Sequence, residues 1–182
     1  MEKKVKILAF AGSLRKQSYN RGLLKAALEM APPNCALEIL DLEGIPLYNQ
    51  DEENPLPPSV VHLKAKARAA DAILIATPEY NYSIPGVLKN ALDWGSRPYG
   101  DNAWNNKPVA IMGASPGMQG TSRAQYHLRQ VFVYLNMHPL NQPEVMVATA
   151  QDKFDAKGNL TDPKARQKIA ELLTALIASV RH

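Results

Sequence analysis

The chain carries a single cysteine, Cys35, among its 182 residues. That excludes an intramolecular disulfide framework and a multi-cysteine metal centre, and it suits a reducing compartment. A lone thiol of this kind is ordinarily a small buried side chain. Long apolar runs are equally scarce. The stretch from Val5 to Ala11 is too short for a signal-peptide core and far too short to span a bilayer, so a cytoplasmic setting without a membrane partner is expected. The 21 basic and 17 acidic residues leave a formal charge of +4 that is scattered rather than gathered into a tract. Such a balance modestly favours small anionic ligands. A nucleic-acid face would need a basic stripe with stacking aromatics, and none is present, so no nucleic-acid partner is expected. The histidines, His62, His127, His138 and His182, lack metal-ligand grouping, and no bound metal is expected.

What the chain does have is a regular alternation of strand-like and helix-like segments, the pattern of a parallel sheet with helices on both faces. Its length and its 46% hydrophobic composition suit one compact domain spanning residues 1–182. Strands are predicted at Val5 to Ala11, Ala36 to Asp41, Ala72 to Thr77, Val109 to Ala114 and Val145 to Thr149. Helices are predicted from about Asn20 to Pro32, Ser59 to Ala70, Gly86 to Ser96, Thr121 to Leu135, and from Pro163 onward. The stretch from Gly44 to Pro58 holds four prolines and several acidic residues, and reads as an exposed loop of functional or mobile length. Open sheets of this class bind ligands beyond the carboxyl ends of their strands, where the strand order reverses. Attention therefore falls on the loops after the first, third and fourth strands.

The first of these is Gly12-Ser13-Leu14-Arg15-Lys16-Gln17-Ser18-Tyr19-Asn20. A polar loop running into a helix start presents free N–H groups and the positive end of the helix dipole to one point, which is a site for an anion. Ser13, Ser18 and Asn20 offer neutral hydrogen bonds to a phosphate and Arg15 a charge-assisted one. No Gly-Lys-Ser/Thr ending is present, so this is not a Walker loop, and the dinucleotide fingerprint G-x-G-x-x-G is missing. A thiol phosphatase would need its cysteine here, and Cys35 lies after the first helix. The ligand these exclusions leave is a phosphate monoester on something other than ATP. Ordinary helix capping by Ser and Asn is the competing reading.

The second loop, Thr77-Pro78-Glu79-Tyr80-Asn81-Tyr82-Ser83-Ile84-Pro85-Gly86, is stiffened by proline near both ends, and Tyr80 or Tyr82 offers a flat face for a ring. Packing of the same tyrosines over the sheet end or in a subunit interface is the alternative. The third loop, Ser115-Pro116-Gly117-Met118-Gln119-Gly120, has glycines that permit close backbone approach, with Ser115 and Gly117 beside the second loop. On its own it is a common kind of turn.

Together, Gly12-Ser13-Leu14-Arg15-x-x-Ser18-x-Asn20, Pro78-Glu79-Tyr80-Asn81-Tyr82-Ser83-x-Pro85-Gly86-x-Leu88-Lys89-Asn90 and Asp93-Trp94 resemble the NADPH-dependent FMN reductase family, most closely its bacterial quinone and chromate reductase branch. The resemblance covers nearly the whole chain. It implies a flavodoxin-like three-layer α/β fold with a five-stranded parallel sheet in the order 2-1-3-4-5. It also implies one tightly bound, non-covalent FMN per subunit, NAD(P)H as co-substrate, and a homodimer or homotetramer with the flavin near a subunit interface. On these motifs, Ser13, Arg15, Gln17, Ser18 and Asn20 match the family's phosphate loop. Pro78, Glu79, Tyr80 and Asn81 match the loop that meets the isoalloxazine ring, with Ser115 and Gly117 near it and Tyr82 beside it.

The chemistry then belongs to the flavin, with no protein nucleophile or obligatory base expected. The expected reaction is a ping-pong hydride transfer from NAD(P)H to a small acceptor such as a quinone, chromate, an azo compound or free flavin. Two rivals share the fold: a one-electron flavodoxin-type carrier and a flavin-sensing, partner-binding protein. Carriers of the first kind tend to be strongly acidic, whereas this chain has a pI of about 9.1. Arg123, Tyr126, Arg129 and Tyr134 on the fourth helix are of the type enriched at interfaces, or else a solvated helix face.

Overall fold

A computed structural model describes residues 4–180; His182 lies outside that range. The elements run β1 (Val5–Ala11), α1 (Tyr19–Glu29), β2 (Cys35–Leu40), α2 (Pro58–Ala69), β3 (Ala72–Ala76), α3 (Gly86–Gly95), β4 (Pro108–Ala114), α4 (Ser122–Leu135), β5 (His138–Pro139), β6 (Val145–Val147) and α5 (Pro163–Ser179). All strand pairings between them are parallel, in the order β2-β1-β3-β4-β5, with β6 also beside β4.

The expected five strands are therefore six. The position of the fifth strand is filled by two short pieces, β5 pairing with the start of β4 at Pro108 and Val109, and β6 pairing with its end from Met112 to Ala114. Pro139 and Pro143 lie in or between the pieces. Proline cannot donate to a ladder, so an edge position tolerates the break where a central strand would not.

Successive side chains of a strand point to opposite faces, and the central strands are apolar on both, as a sheet covered on both sides requires. Ile7, Ala9, Leu74 and Met112 pack under α1 and α5 with Leu23, Ile169, Leu172 and Leu176. Leu8, Phe10, Ile73, Ile75 and Ile111 pack on the other face with Leu63, Leu88, Leu92 and Phe132 from α2, α3 and α4. Three layers result. Leu28, near the end of α1, is exposed rather than on the buried face of that helix.

The 44–58 segment is a clamped structure rather than a free loop. The carbonyl of Pro46 accepts from Asn90 Nδ2 and Trp94 Nε1, each at 2.8 Å, and the Tyr48 N–H donates to Asn90 Oδ1 at 2.7 Å. Farther along, the Tyr48 hydroxyl and Arg97 Nε both donate to Glu53 Oε1, at 2.7 and 2.6 Å. The Arg97 hydrogen bond, followed by that from Tyr48, holds the Glu53 carboxyl below the ordinary carboxylate range.

Register decides where the ligand loops emerge. Ala11 pairs with Ala76, and Ala76 with Met112, so β1, β3 and β4 end at one level. The ladder continues one step into the loops, with Gly12 N–H donating to Ala76 O and Thr77 N–H to Met112 O, both at 2.9 Å. The order reverses between β1 and β3, where loops one and two leave side by side.

Candidate functional site

Loop one folds as a tight polar arch in front of α1. Ser18 is the N-cap, its Oγ accepting from Asn20 N–H at 3.2 Å, and Ser13 Oγ accepts from Arg15 N–H at 3.3 Å. Each hydroxyl uses its oxygen on the backbone and keeps its hydrogen free to donate. Among the described residues, the N–H groups of Leu14, Lys16 and Gln17 donate to no protein acceptor. Leu14, Arg15, Lys16 and Gln17 are exposed at the mouth of the arch, while Ser13 and Ser18 line its floor. Uncommitted N–H groups, two hydroxyls, a guanidinium and a helix N-terminus form a donor set that fits a phosphate monoester.

Asn20 has another task. Its side chain is 2% exposed. Its Nδ2 donates to Ala114 O and its Oδ1 accepts from Ala114 N–H, both at 3.0 Å. The amide thus completes the end of β4 as a neighbouring strand would, and ties loop one to loop three. The amide that the sequence offers to a phosphate has both its polar atoms on Ala114, the role of a strut. Arg21, not singled out by the sequence reading, adds a second brace through Nε to Ser13 O at 3.2 Å, and its other end pairs with Asp41 at 2.8 Å.

In loop two, Tyr80 and Ser83 exchange backbone bonds at 3.1 and 3.0 Å, closing a two-residue turn over Asn81 and Tyr82. Both central residues are left-handed, with φ of 51° and 66°, which is the type I′ geometry. A bulky tyrosine at positive φ is strained and needs an external hold. Four contacts from α4 supply it. Arg123 Nε donates to Glu79 Oε1 at 2.6 Å, and the second carboxylate oxygen caps α4 by accepting the Ala124 N–H at 3.2 Å. The Arg123 guanidinium lies 3.5 Å from the Tyr82 ring centroid, and His127 Nδ1 is 3.0 Å from Ser83 Oγ.

Glu79 is therefore a buried anchor, its side chain 8% exposed, with both oxygens engaged. Tyr80 and Tyr82 remain half to two-thirds exposed on the outer side of the turn. The N–H groups of Glu79, Asn81 and Tyr82 have no acceptor among the described residues. From sequence, Arg123 belongs to an interface or to a solvated helix face. Nothing local announces its partnership with a glutamate 44 positions away.

Loop three is drawn against loop two by a close approach at Gly113. A Cβ there would fall 1.8 Å from Thr121 Oγ1 and 2.6 Å from Thr77 O, so only glycine lets the start of α4 sit this near β3. Ser115 Oγ donates to Gly117 O at 3.3 Å, and Ser115 N–H to Val147 O at 3.0 Å. The three loops thus share one edge of the sheet. Loop one and loop three are joined through Asn20, and loop two is joined to α4 through Glu79.

This edge and its motifs are those of a known group: the description of NADPH-dependent FMN reductases matches residues 5–152. The chain belongs to the NADPH-dependent FMN reductase family. An NAD(P)H-dependent FMN reductase of Pseudomonas aeruginosa is 53% identical over 182 residues, spanning 100% of this chain and 98% of the relative. A 2-hydroxy-1,4-benzoquinone reductase from a Burkholderia species is 42% identical over 177 residues, 97% of each chain. Among solved structures, FerB, a flavoenzyme NAD(P)H:(acceptor) oxidoreductase of Paracoccus denitrificans, superposes with a TM-score of 0.89 at 34% identity, covering 97% of both chains. Family membership makes the α/β architecture flavodoxin-like, as the motifs implied. It also accounts for an edge rich in phosphate donors that lacks both the Walker and the dinucleotide signatures.

Proposed function

We propose that this protein oxidises NAD(P)H through one non-covalently bound FMN and passes the electrons to a quinone or a similar small acceptor. The observation that carries this reading is the meeting, at one sheet edge, of a cradle of uncommitted N–H and hydroxyl groups with a rigid aromatic turn. Ser13, Arg15, Gln17 and Ser18 would hold the phosphate, with Asn20 bracing the arch behind them. Pro78, Glu79, Tyr80, Asn81 and Tyr82 would border the ring, with Ser115 and Gly117 facing them from loop three.

When bound, FMN supplies the hydride chemistry. The protein binds and orients it, and the unpaired N–H groups of Glu79, Asn81 and Tyr82 are available to stabilise negative charge on a bound ring. The Glu79 carboxylate is occupied by Arg123 and Ala124 and is not free to act as an acid or base. Among the described residues no helix is long and apolar enough to cross a membrane, and the buried lone Cys35 fits the cytoplasmic setting proposed. The proposed assembly is a homodimer or homotetramer, supported by the exposed Tyr126, Val133 and Tyr134 along α4. Sedimentation showing only a 20.0 kDa species at micromolar concentration would reject it.

The test of the central reading is direct. The purified protein should be yellow, with flavin absorption bands, and should consume NAD(P)H steadily with benzoquinone. Bound FMN without turnover would leave a carrier or sensor, and absence of flavin would reject the cofactor. A screen of quinones, chromate, azo compounds and free flavin then ranks the acceptors.

A further inference from the structure

A small hairpin lies just past residues 5–152, the span that the family description matches, and packs on the first turns of α1. Phe154 and Leu160 form an antiparallel bridge, and Asp155 organises the turn between them. Its Oδ1 accepts the N–H groups of Lys157 and Asn159 at 2.9 and 2.8 Å, and its Oδ2 accepts from Asn159 Nδ2 at 2.8 Å. Lys25 of α1 reaches across to Asn159 Oδ1. The docking is close. A Cβ on Gly22 would stand 2.6 Å from the Gly158 carbonyl oxygen and 2.7 Å from the Phe154 ring.

At the other end of the contact Phe154, nearly buried, meets Tyr19 with ring centroids 5.0 Å apart and tilted by 45°. Tyr19 is the first residue of α1, and the Arg15 guanidinium lies over its ring, 5.4 Å from the centroid. Hairpin, Phe154, Tyr19 and Arg15 are therefore stacked in sequence, ending at the exposed charge of loop one. An arginine side chain free in solvent loses rotamer freedom on binding, and a surface that already holds it reduces that loss.

We infer that Tyr19 and the Phe154–Leu160 hairpin are a buttress that poses Arg15 for the phosphate group of the cofactor. The inference rests on the proposed phosphate role of loop one. Tyr19 is thus a positioning residue acting through Arg15. A guanidinium over an aromatic face at an exposed site is worth about 0.5–1 kcal/mol, so the coupling should amount to about a two- to five-fold change in affinity.

Binding of FMN and of riboflavin, which lacks the phosphate, separates positioning from general damage. Tyr19→Leu should weaken FMN binding by about two- to five-fold and leave riboflavin unchanged, while Tyr19→Phe, which keeps the aromatic face, should bind FMN as the wild type does. Arg15→Ala should weaken FMN binding by about ten- to a hundred-fold in the wild type and by about two- to five-fold less in Tyr19→Leu. Gly22→Ala, which displaces the hairpin without touching Tyr19, should likewise narrow the preference for FMN over riboflavin. Equal losses for FMN and riboflavin in both Tyr19→Leu and Gly22→Ala, or an Arg15→Ala effect undiminished by Tyr19→Leu, would overturn the inference alone. An Arg15→Ala variant with unchanged FMN affinity would overturn the phosphate reading and the inference with it.

Discussion

Replacing Asn20 by alanine distinguishes a strut from a ligand. In the structure the Asn20 amide is buried and makes two 3.0 Å bonds, one to the N–H and one to the C=O of Ala114, which is itself 2% exposed. Alanine removes both partners at a site closed to bulk water. Each orphaned buried group costs about 1–3 kcal/mol, so with two of them Asn20→Ala should lose about 2–6 kcal/mol in total. For a chain of this size that corresponds to a fall in Tm of about 4–24 °C. The decisive measurement is thermal unfolding of the protein stripped of flavin, followed by circular dichroism, beside an FMN titration by fluorescence.

The flavin-free protein should show the full loss. Asn20→Asp should be no rescue, because a carboxylate can accept the Ala114 N–H but opposes the Ala114 carbonyl and adds a negative charge behind the proposed phosphate cradle. A flavin-free Asn20→Ala protein with a Tm within about 1 °C of wild type, together with a tenfold or greater loss of FMN affinity, would refute this account. Asn20 would then be a phosphate ligand after all.

Two further outcomes follow from the anchors of the outer segments. Glu79→Gln keeps the shape of the side chain but removes the charge that Arg123 neutralises, leaving a guanidinium against a neutral amide under the strained Tyr82 turn; breaking such a pair is destabilising. Turnover should fall by about tenfold or more through misplacement of loop two, and an unchanged kcat/KM would show that the anchor is dispensable. In acid, the Tyr48–Glu53–Arg97 clamp should open. The Glu53 carboxyl is held below its usual value of 4.5, so its contribution is complete above about that pH and is lost as pH falls through the lowered folded value. The Tm difference between wild type and Glu53→Gln should accordingly shrink as pH falls from 6 toward 3, and a difference independent of pH would count against it.

Much of this arrangement was legible along the chain because it depends on local pattern. Mostly apolar strands at Val5 to Ala11, Ala72 to Thr77 and Val109 to Ala114 announce a sheet covered on both faces, and Ser18 before α1 announces a capped helix N-terminus. The polar and glycine-bearing loops that follow these strands could be placed at one edge from topology alone. The edge was less legible: the strand expected from Val145 to Thr149 stands as the shorter β6, whereas β5 at His138–Pro139 gave no periodic signal of its own.

The partners of the loop residues were not legible, because they are long-range. Asn20 bonds Ala114, 94 positions away, and Glu79 bonds Arg123, 44 positions away. A side chain that looks available in sequence is spent or free according to what register and helix packing bring beside it. Composition and periodicity thus settle that a sheet edge presents hydrogen-bond donors and an aromatic loop. Only the folded packing decides which of those groups face outward and which hold the edge together, since a buried polar atom must find its partner wherever the tertiary structure supplies one.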